Sequence, residues 1–159
     1  MTTKLYRTGF GQRYAMNPEM AWTGQTLGHH QWGVAILLLE MFPDCSMATL
    51  REALLHDTGE PGAGADVSAP AKAKYPALAE AAEIAELAER EELGVPWRND
   101  LSEPQDDMIE LCDKLEAYMF AQVRCPHVLE RDGWPECRSK IIGLAARLGV
   151  EDKVREKLA

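Results

Sequence analysis

Apolar residues in this chain recur three and four positions apart and nowhere alternate long enough to propose a strand, which restricts the fold to helices packed on helices. Val34, Leu37, Leu38 and Met41 stand at i, i+3, i+4 and i+7, one face of a helix that Pro43 stops. Ser46 reads as the N-cap of the next helix, with Leu50, Ala53 and Leu54 inward and an end near Gly59 and Pro61. Gly62, Gly64 and the flanking prolines make 61–70 a loop directly after His56-Asp57, a place where loops often carry function. The Ala, Glu and Leu content from Ala71 to Leu93 predicts a helix closed by Gly94 and Pro96. Ser102 with Gln105 three residues later predicts a capping box, and Met108, Leu111, Cys112, Leu115 and Met119 form the stripe of the helix it opens. Cys137, Ile141, Leu144 and Leu148 mark a further helix. Five or six helices in an all-α bundle follow, with no internal repeat, low-complexity tract or sustained heptads.

At 159 residues the chain can bury one core, so a single domain over 1–159 is expected. Apolar residues at 46% and charged residues at 27% belong to an ordinary folded composition. The apolar run Val34 to Leu39 ends at Glu40, far short of the ~20 residues a bilayer crossing needs, and Met1 to Phe10 has no apolar export region. A cytoplasmic protein with no membrane partner is the expectation. Seventeen basic against twenty-six acidic residues give −9, the wrong sign for gripping nucleic acid through its phosphates. Cys45, Cys112, Cys125 and Cys137 lack C-x-x-C spacing and read as buried thiols, and Cys125, His127 and Cys137 match no common zinc pattern.

Three places carry polar groups where the pattern calls for apolar ones. His30 lies at i−4 from Val34, at the head of its stripe. His56-Asp57 ends an apolar helix, where the imidazole suits the negative end of the macrodipole and the carboxylate opposes it. Asp113 has Ile109, Ala117 and Phe120 at helical offsets, and an unpaired buried carboxylate costs several kcal/mol. A cation would compensate all three, and two imidazoles with two carboxylates suit Mn, Fe, Co, Zn or Mg.

In order and helical context, His30, His56-Asp57 and Asp113 resemble the H…HD…D signature of the HD-domain phosphohydrolase superfamily. The strings GHHQWGVA (Gly28 to Ala35), ALLHDTGE (Ala53 to Glu60), ADVSAPAK (Ala65 to Lys72) and CDKLEAY (Cys112 to Tyr118) are similar to its bacterial 5'-deoxynucleotidase branch, beside which stands a viral branch that hydrolyses dATP. The resemblance covers roughly Arg13 to Tyr118. It implies a compact bundle of the HD-domain type in which His30, His56, Asp57 and Asp113 hold one divalent transition metal, Co, Mn, Zn or Fe, with Mg as an additional ion. It implies that Glu60 orients the attacking water, that Asp66 lies beside the sugar and reacting phosphate, and that Lys72 and Arg13 hold phosphate. Tyr14 stands where the nucleotidases carry the tryptophan whose packed indole helps exclude a 2'-hydroxyl. Trp22 is a candidate wall for the base, with a buried core residue as the other reading. His29 stands where the relatives usually carry Glu.

The expected activity is hydrolysis of a deoxynucleotide, either dNTP to deoxynucleoside plus triphosphate, with dATP the leading candidate, or dNMP to deoxynucleoside plus phosphate. Alternatives are an alarmone hydrolase, whose E-D pair after H-D is missing at Thr58 to Pro61, and a non-catalytic nucleotide-binding module. The family implies a homo-oligomer, dimer or hexamer, and for the viral branch a host-cytoplasmic setting.

Overall fold

The computed structural model describes residues 2–64, 67–95, 101–131 and 133–159. Eight helices are present among them: α1 (Thr2–Thr8), α2 (Leu27–Met41), α3 (Met47–Leu55), α4 (Ala69–Lys74), α5 (Pro76–Glu92), α6 (Glu103–Arg124), α7 (Trp134–Leu148) and α8 (Glu151–Lys157). No strand occurs among the described residues, so the chain is all-α, as the periodicity predicts. None of the described helices is long and apolar enough to cross a membrane.

Contacts gather these elements into two compact units, each built from two stretches of chain: Met1–His29 with Leu55–Asn99, and His30–Leu54 with Asp100–Ala159. In the second unit the α2 stripe is buried throughout and the α6 and α7 stripes in part: Met108, Met119, Cys137 and Leu148 are half-buried, and Ile109 joins the α6 core. Val34, Leu37, Leu38 and Met41 of α2 are buried, as are Ile109, Leu111, Cys112 and Leu115 of α6 and Ile141 and Leu144 of α7. Ser102 N–H donates to Gln105 Oε1 at 2.8 Å, the reciprocal half of the capping box. The Gln105 amide then donates to Ser46 Oγ and Thr49 Oγ1, each at 3.0 Å, tying the start of α6 to that of α3. Ser46 Oγ accepts the Thr49 N–H at 3.1 Å, the expected N-cap bond. The inward set of α3 differs from expectation. Leu54 is 42% exposed, and Thr49, Glu52 and Ala53 are the buried positions. Thr49 points inward because its hydroxyl meets the Gln105 amide there.

In the first unit, the segment between α1 and α2 is pinned by backbone bonds from Arg13 N–H to Gln25 O (2.9 Å) and from Leu27 N–H to Gly11 O (2.8 Å). The helix expected from Ala71 to Leu93 is two helices. Pro76 opens α5, and Tyr75 before it is extended at φ −128°, ψ 86°, because the proline ring disfavours helical geometry in the preceding residue. A 3-10 turn, Glu60–Ala63, lies against α5. Two glycines permit that approach: a Cβ on Gly59 would stand 2.4 Å from Glu86 O, and one on Gly62 2.6 Å from Ala85 O.

Candidate metal centre

His30 stands in the first turn of α2 and is wholly buried at 0% exposure. Its imidazole lies between two acids of α6. Nδ1 is 2.5 Å from Glu116 Oε2, and Nε2 is 3.1 Å from Asp113 Oδ1. Asp113 and Glu116 are three residues apart on one helix, so both reach the same face. Gly33, one turn along α2 from His30, leaves room for the longer acid: a Cβ there would stand 2.8 Å from Glu116 Cγ. A carboxylate oxygen only accepts, so the short contact puts the imidazole proton on Nδ1, donating to Glu116. Nε2 then faces another acceptor, Asp113 Oδ1, at 3.1 Å, and a nitrogen and a carboxylate oxygen that close need a proton or a cation between them.

The separation fits a cation. With metal–ligand bonds of ~2.1 Å, adjacent ligands at right angles on one ion lie about 3.0 Å apart. The first unit contains a second nitrogen–oxygen pair of the same kind, His56 Nε2 and Asp57 Oδ1 at 3.3 Å, both side chains largely buried. These residues follow the last residue of α3, where the macrodipole is negative and Asp57 alone would be unfavourable. Arg90 of α5 answers that charge. It is 2% exposed, and its Nη1 donates to the carbonyls of Leu55 (2.9 Å) and His56 (3.0 Å). Thr58 Oγ1 adds a bond to Leu55 O at 2.7 Å. Glu60 opens the following turn, its N–H donating to Asp57 O at 3.1 Å.

The remaining expected contacts are placed as follows. Lys72, on α4, pairs with Glu86 of α5 at 3.1 Å. The Arg13 guanidinium lies over the Tyr14 ring, 5.3 Å from its centroid, and Tyr14 takes a left-handed φ of 57° that a non-glycine residue adopts at a cost. Trp22 is 62% exposed with Nε1 donating to Glu19 O at 2.8 Å, which excludes the core reading. His29 is exposed. Asp66 lies outside the described residues.

Sequence reasoning missed two groups. Glu116 is only 8% exposed and belongs to the buried face of α6, but in sequence it is one more acid in an acid-rich helix. Its clue is its offset of three from Asp113. Arg90 sits near the end of a helix full of glutamates and reads as a surface partner for them. The cysteines are all free thiols, Cys112 and Cys125 buried and Cys45 and Cys137 half-buried. Burial pushes the Cys137 thiol up, an effect that Lys114 opposes and Asp113 assists.

Searched against family models, curated proteins and solved structures, the chain matches none of the three. Within the second unit His30 and Asp113, and within the first His56 and Asp57, each set an imidazole nitrogen beside a carboxylate oxygen, a donor pair suited to a divalent cation of open identity.

Proposed function

We propose that the chain is a metal-dependent phosphohydrolase of the HD-domain type acting on deoxynucleotides, releasing triphosphate from a dNTP, dATP first, or orthophosphate from a dNMP. The observation that carries this reading is the buried His30 imidazole, set with Nδ1 on Glu116 and Nε2 3.1 Å from Asp113 Oδ1. The His56–Asp57 pair at 3.3 Å supports it, and so does the order of the four residues along the chain. On the family resemblance, His30, His56, Asp57 and Asp113 would hold one divalent ion, Co, Mn, Zn or Fe, with Mg as an additional one. When bound, the ion would polarise a phosphoryl oxygen and lower the pKa of its water toward about 7.

The chain's own residues do the rest. Glu60, anchored through its backbone to Asp57, aligns the attacking water and takes its proton, with Asp66 beside it. The water oxygen bonds to the phosphorus that carries the 5'-oxygen, the P–O5' ester bond breaks, and the departing 5'-oxygen takes a proton as the deoxynucleoside hydroxyl while the phosphoryl group leaves as triphosphate from a dNTP or orthophosphate from a dNMP. Lys72 and Arg13 neutralise the phosphate oxygens, which a chain of net −9 must do with local charge. Lys72, paired with Glu86 at 3.1 Å, exchanges that carboxylate for substrate phosphate. Tyr14 and Trp22 offer ring faces to sugar and base. The same family resemblance leads us to propose a homo-oligomer, dimer or hexamer, in the cytoplasm.

The test is product release from the four dNMPs and four dNTPs with Co, Mn, Mg or Zn added, separating orthophosphate from triphosphate by chromatography. Metal-dependent release of either product supports the reading. Silence with every substrate from a chain that binds metal contradicts it and favours a nucleotide-binding module.

A further inference from the structure

We infer that Glu116 is a positioning residue: it holds His30 in the tautomer and orientation that present Nε2, together with Asp113 Oδ1, to a divalent cation. The inference rests on the metal-dependent reading and deepens it. Three observations within one unit carry it. First, Glu116 Oε2 meets His30 Nδ1 at 2.5 Å, in a place where His30 is fully buried and Glu116 nearly so. A carboxylate in that position accepts, so Nδ1 carries a ring proton and Nε2 is the nitrogen left to face a cation. Second, Nε2 and Asp113 Oδ1 stand 3.1 Å apart, the spacing of neighbouring ligands on one ion. Third, the space Glu116 occupies exists because residue 33 is glycine, inside a helix where glycine is otherwise unfavourable; any side chain there would meet Glu116 Cγ.

Carboxylates behind metal-binding imidazoles make the ring a better ligand, and removing one typically weakens metal affinity ~10–100-fold. Glu116 Oε2 is engaged by His30, a contact within the bundle that separates its role from that of Glu60. Its effect on the ion acts through His30.

Two variants test this from different directions. Glu116→Gln keeps the size and removes the charge. Gly33→Ala leaves both Glu116 and His30 chemically intact and displaces the carboxylate. The readouts are Zn binding by titration calorimetry and the imidazole proton spectrum of the Zn-loaded protein, with the melting temperature of each metal-free chain alongside. The wild-type chain should show a strongly downfield, slowly exchanging Nδ1–H for His30. Both variants should shift that proton upfield and weaken Zn binding by about tenfold or more, while each remains helical and unfolds in a single transition below the wild-type melting temperature. Unchanged Zn affinity in both variants would overturn the inference and leave the metal reading standing. Absence of Zn, Mn or Co binding by the wild-type chain would end both.

Discussion

Replacing Arg90 with methionine keeps much of the side chain's volume and removes its charge from the carbonyls where α3 ends. Nη1 of this buried arginine donates to Leu55 O and His56 O. The two bonds are not equivalent. Leu55 O also accepts from the N–H (3.1 Å) and Oγ1 (2.7 Å) of Thr58, so losing Arg90 there costs about 0.5–1 kcal/mol. His56 O loses a charged donor in a buried setting, about 1.5–3 kcal/mol, and the cation at a helix C-terminus contributes about another 0.5–1 kcal/mol. The expected loss for Arg90→Met is therefore about 3 kcal/mol. With a urea slope of ~2 kcal/mol per molar, the unfolding midpoint should fall by about 1.5 M. Arg90→Lys, which keeps the charge and one donor, should lose roughly half as much. Circular dichroism during urea titration at pH 7 measures both. A loss under ~1 kcal/mol for Arg90→Met would refute the argument that a buried guanidinium stabilises the His56-Asp57 terminus.

Two further outcomes follow from the same structure. Gly59 has an ordinary φ of −81°, so Gly59→Ala should fail on space alone: its Cβ would stand 2.4 Å from Glu86 O, and thermal unfolding should report a loss of about 1–3 kcal/mol. Gly143→Ala in α7, where a Cβ meets nothing within 4 Å, should instead stabilise by about 0.5–1 kcal/mol; a gain for Gly59→Ala equal to that of Gly143→Ala would contradict the close-approach argument. The Cys137 thiol is pushed up by burial, so its thiolate forms only above the usual thiol range. Iodoacetamide followed by peptide mass spectrometry at pH 8 should modify Cys137 much more slowly in the native chain than in urea, and faster as pH rises. Equal rates in both states would show the thiol to be unperturbed.

The elements most legible in the sequence were those whose apolar spacing and caps agree. The α2 stripe, the centre of the α6 stripe at Leu111, Cys112 and Leu115, and the Ser102–Gln105 box appear where the sequence places them. Composition misled where local geometry outranked it: the Ala- and Glu-rich stretch after Ala71 looks continuous, yet Pro76 divides it by constraining Tyr75. Leu54 faces solvent because α3 buries a polar face, which hydropathy cannot register. His30 and Asp113 were legible as polar residues on apolar stripes. Glu116 was not, because its partner lies 86 residues away and depends on a gap at Gly33 that only the packed helices reveal. Arg90 escaped for the same reason, since its carbonyl partners belong to the backbone at Leu55 and His56, 35 and 34 residues earlier.

The most direct test of the central claim is metal stoichiometry, measured by elemental analysis of the chain after equilibration with Co, Mn or Zn and removal of free ion. The account predicts one tightly held ion per wild-type chain, lost in both His56→Ala and Asp113→Asn, with Asp113→Asn also abolishing turnover. A wild-type chain that retains no ion, or an Asp113→Asn chain that keeps both its ion and its turnover, would contradict it.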